Sequence, residues 1–235
     1  MKKNVIVIIF VLTIFFTCRA WAGQPDRSEY LDGGRSNIAV ILCHGQGKYP
    51  RWLVVDPLRK GINKELGFHT LSLQMPVLQV NAAYWKKYAD VFPVAYKEIE
   101  AAIAFLRKEK GVKTIYLMGH SMGSRMATAF LANHPDSGIK GFIGVGIRNG
   151  GPTPLDSNSN LRKIKIPVLD IFGDGGDGID GIQGKDRADL VSTNYKQILI
   201  PGADHLYSFY EDQMVKAVVD WLRENEKSDL KSVKD

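Results

Sequence analysis

The chain has 235 residues, enough for one domain with a full hydrophobic core, and 45% of them are hydrophobic, which is incompatible with a disordered chain. Its formal net charge is +6, but Lys2, Lys3 and Arg19 supply three of the positive charges, so the rest carries +3 (6 − 3). A small excess spread over charges of both signs leaves no basic footprint for a nucleic acid. We therefore predict no nucleic-acid partner.

The N-terminus has the pattern of a secretory signal peptide. Lys2 and Lys3 precede the apolar run 5–16, and residues 20–22 (AWA) offer a small-residue cleavage site. The run is shorter than the about 20 apolar residues that a helix needs to cross a bilayer, which argues against a membrane anchor. We predict a signal peptide over residues 1–22, no membrane span, and a periplasmic or secreted mature protein. Lipidation at Cys18 stays open as an alternative.

The predicted mature chain, residues 23–235, is expected to form one domain with a polar C-terminal tail. It keeps a single cysteine, Cys43, and so cannot form an internal disulfide. A lone cysteine at the end of an apolar run is typical of a buried, inert thiol. The alternative role, a thiol nucleophile, stays open.

Strand-like and helix-like segments alternate along this chain. Ile38–Cys43 is a continuous apolar run, typical of a parallel strand buried on both faces. Apolar residues then recur at helical spacing from Val55 to Leu66. Further strands are predicted over 70–75, 114–118, 142–145, 168–172 and 196–200, and further helices over 95–106, 121–134 and 215–222. This alternation predicts a doubly wound α/β domain with a mostly parallel sheet of about six strands and helices on both faces.

The stretch GHSMG, residues 119–123, follows directly on the third predicted strand. Glycine is costly inside regular structure, so two glycines around one serine indicate a tight turn. A nucleophile elbow is such a turn, because it exposes the serine hydroxyl between a strand and a helix. In open α/β sheets ligands bind at the carboxyl ends of the strands, where this turn is expected to lie.

Three other unusual turns follow strands at the same expected edge. They are HGQG (44–47), GDGGDGIDG (173–181) and PGADH (201–205). Serine, aspartate and histidine in that chain order are typical of the catalytic triad of α/β-hydrolases. Over roughly residues 37–224 the chain resembles a small secreted α/β-hydrolase. The stretches HGQG and PLRKGINKELGFHTLSLQMP further resemble an uncharacterised family of bacterial α/β-hydrolases with no agreed substrate.

The resemblance implies a three-layer α/β-hydrolase fold and a role for each part. Ser121 would be the nucleophile, and His205 the base that takes its proton. The backbone N–H of Met122, at a helix N-terminus, would bind the oxyanion. In this family the residue after the HG pair, here Gln46, supplies the second donor. His120, beside the serine, is expected to be a neighbour rather than a second base.

The triad acid departs from the usual pattern. Many α/β-hydrolases read G-x-x-D after this strand, but here the fourth position is Gly176. Loop glycines leave room for one inserted residue, so we predict Asp177 as the acid, with Asp174 as the alternative. Asp170 is expected in the middle of the strand, and Asp180 too far along the loop.

Only residues 148–166 separate the fourth and fifth predicted strands, which leaves no room for a large cap domain. The site should therefore be open. Tyr84 and Trp85 are predicted to form a substrate-binding wall, with ordinary packing as the alternative. We predict an exported serine hydrolase that cleaves small-molecule carboxylic esters or thioesters through an acyl-enzyme, with no cofactor or metal. Two alternatives stay open: a peptidase or amidase with the same triad, and a non-catalytic binding module.

Overall fold

The computed structural model describes residues 22–79 and 81–232. Except for its last residue, the predicted signal peptide lies outside these described residues, and so does Cys18. Among the described helices, none combines the length and the apolar character that crossing a membrane would take.

A single seven-stranded sheet forms the centre of the molecule. Its strands lie in the order β1-β3-β2-β4-β5-β6-β7, and only the pairing of β1 with β3 is antiparallel. The mostly parallel sheet is confirmed, with one strand more than predicted, since the three residues of β1 are too short for a pattern. The strands are β1 Glu29–Leu31, β2 Ile38–Cys43, β3 His69–Leu73, β4 Thr114–Ser121, β5 Ile139–Ile147, β6 Val168–Gly173 and β7 Tyr195–Ile200.

In the described part of the chain, six α-helices connect and cover the strands. They are α1 Val55–Leu66, α2 Phe92–Glu109, α3 Met122–Asn133, α4 Ser157–Leu161, α5 Ile179–Lys185 and α6 Glu211–Ser232. Two 3₁₀ segments, Ala82–Val91 and Ala188–Leu190, complete the set. The four long helices were predicted. The short α4 and α5 were not, because serine, asparagine and glycine in SNSNL and IDGIQGK have low helix propensity.

The core divides into two hydrophobic clusters, one on each face of the sheet. Along β2, Ala39, Ile41 and Cys43 pack into the cluster under α2 and α3, whereas Val40 and Leu42 pack into the cluster under α1 and α6. All five are fully buried, as the continuous apolar run predicts. The result is the three-layer arrangement expected of an α/β-hydrolase.

The connection from β5 to β6 contains α4 as its only α-helix, so the absence of a large cap is confirmed. The carboxyl ends of the parallel strands therefore meet at an edge that no separate domain covers. Cys43 ends β2 and is fully buried, which raises the pKa of its thiol and disfavours the reactive thiolate.

Candidate active site

The turn between β4 and α3 holds Ser121 in a strained backbone conformation. Its φ is 54° and its ψ is −117°, a region that non-glycine residues rarely adopt. Both flanking glycines are required: a Cβ at Gly119 would lie 2.6 Å from the Cα of Ser124, and one at Gly123 would collide with the carbonyl oxygen of Cys43. The sequence GHSMG thus forms the tight strand-to-helix turn that its glycines indicate.

The loop after β2 packs directly against this turn. A Cβ on Gly45 would lie 3.3 Å from the Cβ of Ser121. The loop is held by His44, whose Nδ1 donates to the carbonyl of Gly45 at 2.9 Å and whose Nε2 accepts from the amide of Met75 at 3.0 Å. Burial lowers the pKa of His44 to about 4, so at neutral pH its ring is uncharged and braces the loop.

His205 lies in the loop between β7 and α6, a few residues before α6 begins. Its Nδ1 lies 2.6 Å from the Oδ2 of Asp180, and both it and Ser121 line the same cavities. The Ser121 hydroxyl donates no hydrogen bond to a described residue. In enzymes without bound substrate such contacts are often long and tighten only in the complex.

The acid prediction is corrected by the structure, because neither Asp177 nor Asp174 contacts that histidine. The Oδ1 of Asp177 accepts from the amide of Ile179 at 3.0 Å, and its side chain is 56% exposed. The Oδ1 of Asp174 accepts from the amide of Gly202 at 2.7 Å, which ties the loop after β6 to the loop after β7. Asp180 occupies the position expected of Asp177.

The physical reason is a reversal of the chain within the loop after β6. Gly176 and Gly178 have φ values of 63° and 69°, the left-handed conformation that glycine adopts without steric cost. These two glycines fold the loop back. Helix α5 therefore begins at Ile179, and its first turn carries Asp180 to His205. Counting residues along an extended loop placed Asp180 too far away.

Arg148, which sequence reasoning missed, completes the surroundings of the acid. The side chain of Asp180 is only 5% exposed, and its Oδ1 lies 3.0 Å from the Nε of Arg148. The Nη2 of Arg148 lies 3.8 Å from the Oδ2 of Asp177. The sequence offered one indication of this role, because Arg148 directly follows β5 and so lies at the same sheet edge as the other site residues.

His120 packs against His205, with the ring centres 4.8 Å apart. Its Nε2 lies 3.0 Å from the carbonyl oxygen of His205 and therefore donates to it, which leaves a buried Nδ1 without a described partner. Burial and the neighbouring His205 lower the pKa of His120 to about 3. The His120 ring is therefore neutral near pH 7 and supports the backbone of His205, as expected of a neighbouring residue rather than of a second base.

Two cavities flank Ser121. The smaller, of about 380 Å³, is lined by Gly45, Gln46, Gly47, Lys48, Leu78, Tyr88, His120, Ser121, His205 and Leu206. The larger, of about 580 Å³, is lined by Gln46, Trp85, Ser121, Met122, Arg125, Arg148, Asn149, Ile179, Gln183 and His205. A scissile bond at Ser121 would thus have space on two sides, one for each part of a substrate.

Of the four residues predicted to bind the substrate or the oxyanion, three line the larger cavity and one does not. Gln46 and Met122 both line the larger cavity beside Ser121. Trp85 lines it too, with the guanidinium of Arg125 4.4 Å from its ring centre. Tyr84 is 58% exposed and lines neither cavity, so the structure brings only one of the two predicted aromatic residues to the site.

Across residues 22–79 and 81–232, no three His, Cys, Asp or Glu side chains come together as a metal-binding group. At the site, His205 and Asp180 form a hydrogen bond through Nδ1 and Oδ2, and His205 and Ser121 line the same two cavities.

A strained serine on a strand-to-helix turn, opposite a histidine that a buried carboxylate orients, is the arrangement of the α/β-hydrolases. The family model described as alpha/beta hydrolase fold matches residues 38–179, more than half of the chain. The chain belongs to this family. No curated protein sequence matches it.

Solved structures of other proteins show a similar fold. Est1E from Butyrivibrio proteoclasticus with bound ferulic acid is 18% identical with a TM-score of 0.67, covering 84% of this chain and 94% of its own. A dienelactone hydrolase from Anabaena variabilis is 18% identical with a TM-score of 0.66, covering 84% and 90%. An α/β serine hydrolase without a lid from Xanthomonas campestris is 15% identical with a TM-score of 0.65, covering 86% and 91%. At these identities the likeness concerns the fold alone.

Proposed function

We propose that this protein is a serine hydrolase that cleaves carboxylic esters or thioesters with Ser121, His205 and Asp180. The observation that carries the proposal is the 2.6 Å hydrogen bond between His205 and Asp180, beside a serine in the strained elbow conformation. Membership of the α/β-hydrolase family supports hydrolysis. The dienelactone hydrolase among the similar structures agrees with it.

The geometry suits acyl transfer in two halves. In the first, the Ser121 oxygen attacks the acyl carbon while the Nε2 of His205 takes its proton, and the bond to the leaving group breaks as His205 returns that proton to it. In the second, His205 takes a proton from the water that attacks the acyl-enzyme, and the acyl–oxygen bond breaks as His205 gives that proton to the Ser121 oxygen, which releases the acid. Asp180 keeps the Nδ1 proton in place and stabilises the imidazolium in both halves.

The backbone N–H groups of Gln46 and Met122 are proposed as the oxyanion donors. Met122 is the first residue of α3, so its N–H lies among those that a helix leaves without an intrahelical partner. The helix dipole adds positive potential there. Gly45 packs closely against Ser121, and Gln46 lines both cavities beside that serine, which supports the Gln46 amide as the second donor. Both donors act on charge that develops only during the reaction.

Hydrolysis of a neutral ester by the purified chain 23–235 tests the proposal. We expect turnover of nitrophenyl acetate or of an acetyl thioester, lost in Ser121→Ala and kept in Ser192→Ala, an exposed serine before β7 that serves as the control. Short acyl esters should be cleaved better than sixteen-carbon ones, since no large cap encloses a long chain. Turnover of peptides or amides alone would favour the peptidase alternative. No turnover of any substrate would favour the binding module.

Export is proposed on the pattern of residues 1–22. Cleavage after Ala22 would release a chain that begins at Gly23 in the periplasm or the medium. N-terminal sequencing or intact mass of the protein from its native host tests this. A chain that keeps Met1, or a diacylglyceryl mass on Cys18, would contradict it.

A further inference from the structure

We infer that the larger cavity beside Ser121 binds an anionic group of the substrate, so that the preferred substrates are esters or thioesters carrying a carboxylate or a phosphate. The inference rests on the proposed function and narrows its substrate class. Among the residues that line the two cavities, Lys48, Arg125 and Arg148 are cationic and none is Asp or Glu, and Asp180, buried beside Arg148, offsets only one of these three charges. A cleft lined by one sign of charge attracts the opposite charge.

Arg125 contributes a buried cation with no ion-pair partner among the described residues. It is 5% exposed, and its Nη atoms donate at 2.6 Å to three carbonyl oxygens, those of Asn149, Gly150 and Leu155. Burial, together with Arg148, lowers its pKa to about 10, with Asp156 acting in the opposite direction. At neutral pH Arg125 is therefore charged, and the carbonyl dipoles around it do not cancel that charge.

Arg148 supplies the donors that a ligand could use. Its Nε lies beside Asp180, but its Nη1 and Nη2 donate no hydrogen bond to a described residue. Asp177 lies 3.8 Å from Nη2, beyond hydrogen-bond distance, and is itself largely exposed. A planar guanidinium with free donors in a partly buried cavity suits the paired oxygens of a carboxylate or phosphate.

A neutral donor lies in the same cavity. The Oε1 of Gln183 accepts from the backbone amide of Asn149 at 2.9 Å, which fixes the orientation of the Gln183 side chain. Its Nε2 donates to no described residue and is left for a ligand. Trp85 and Ile179 add an apolar wall to the same cavity. A short chain between the reacting carbonyl and an anionic end matches this combination of lining groups.

Two matched pairs of esters test the inference. The first compares the mononitrophenyl ester of adipic acid with nitrophenyl hexanoate, so that the acyl chains differ in one terminal carboxylate. The second compares 4-acetoxybenzoate with 4-acetoxybenzamide, which places the charge on the leaving group. We expect one pair to favour the anionic member by about tenfold or more in kcat/KM, the range of a charge-assisted hydrogen bond. The pair that does so identifies the end of the substrate that the cavity binds.

The variants separate ion binding from positioning. Arg148→Gln should reduce the anionic-to-neutral ratio about tenfold, by the same reasoning. If Arg148 only positioned Asp180, both esters would slow equally and the ratio would stay. Arg162→Gln removes an exposed arginine paired with Asp189 and should leave the ratio unchanged. Asp177→Asn should raise the ratio, because the competing carboxylate beside Arg148 is gone.

Two further measurements identify the preferred anion and distinguish failure of the anionic subsite from failure of the proposed hydrolysis. Adipate and inorganic phosphate are compared as inhibitors of nitrophenyl hexanoate cleavage, and the stronger inhibitor is the anion that binds better. Neutral esters cleaved without any anionic preference, or a ratio unaffected by Arg148→Gln, would overturn the subsite and leave the hydrolase standing. If no ester is cleaved, the proposed hydrolysis fails, and calorimetry of adipate with the wild type and Arg148→Gln decides the subsite alone.

Discussion

Asp170 and Asp180 come from one short segment, β6 and the helix that follows it, and both are buried beside an arginine. Asp170 is fully buried and accepts hydrogen bonds from the Nε and Nη2 of Arg187 at 2.8 and 2.9 Å. The Tyr195 hydroxyl and the Gln197 amide donate to it as well. Asp180 accepts one hydrogen bond, from His205, and its other oxygen lies near Arg148 without a good hydrogen-bond angle.

The difference contrasts a carboxylate that stabilises the fold with the carboxylate that we propose as the triad acid. The partners of Asp170 use all of its acceptor capacity on side chains of β7 and of the segment before it, so the network joins neighbouring parts of the chain. Asp180 binds the Nδ1 of His205, a residue that lines both cavities. A buried carboxylate with an incomplete set of donors is thus the better candidate for function.

The largest expected effect follows from replacing Asp180. Asp180→Asn should lower kcat/KM for a neutral ester by about 10⁴-fold, the cost of losing the triad acid in a serine protease. The imidazole would lose its correct tautomer while the fold remains. Steady-state kinetics with nitrophenyl acetate measures it, and Asp177→Asn is the matched control, with a change under about tenfold. A larger loss in the control would return the acid to the position predicted from the sequence.

Replacing Asp170 should show the opposite pattern. Asp170→Asn leaves the Arg187 guanidinium buried without its counter-charge, at a cost of about 3–5 kcal/mol of unfolding free energy. Urea denaturation followed by circular dichroism measures this loss, and kcat/KM per folded molecule should stay near that of the wild type. The surface pair of Asp189 and Arg162 is the control, since Asp189→Asn should cost at most about 1 kcal/mol. Equal stabilities of both variants would remove the distinction drawn between the two aspartates.

The smallest expected effect is a loss of stability in acid, which arises from the buried histidines His44 and His120. His44 and His120 have pKa values lowered to about 4 and about 3, whereas an unfolded histidine titrates near 6.5. Below that pH the unfolded chain binds protons that the folded chain does not, so stability falls on acidification from pH 6.5 towards 4. Each histidine contributes a slope of up to about 1.4 kcal/mol per pH unit. Denaturation at pH 7, 6 and 5 should show a shallower slope in His44→Gln, and parallel slopes would contradict the buried neutral ring.

Ser121 and His205 could be singled out from the sequence because each lies close to the end of a strand with a clear apolar pattern. Ser121 is the last residue of β4, and His205 follows β7 within one short turn. Only a few residues therefore separate each candidate site residue from the apolar run that predicts its strand. Asp180, the proposed acid, lies beyond two left-handed glycines and at the start of a helix with low helix propensity. Backbone reversals of that kind depend on contacts with the loop after β7, where a Cβ on Gly173 or Gly175 would collide with backbone carbonyl oxygens. Those contacts are not visible in one sequence.

The arrangement of charges was out of reach for a similar reason. Arg125 and Arg148 come from different strand ends, and only the folded sheet edge brings both to one cavity. The alternation of strands and helices, in contrast, follows from local apolar periodicity and predicts the layers without long-range information. Short elements such as β1 and α5 have too few residues for a period to show.

Covalent labelling by a fluorophosphonate tests the central claim most directly, since the probe reacts only with an activated serine. We expect one phosphonyl group on the peptide that carries Ser121, no labelling in Ser121→Ala, and labelling slowed far more by Asp180→Asn than by Asp177→Asn. Mass spectrometry of the digested protein identifies the site, and the time course gives the rates. Labelling at another residue, or equal rates in the two aspartate variants, would contradict a triad of Ser121, His205 and Asp180.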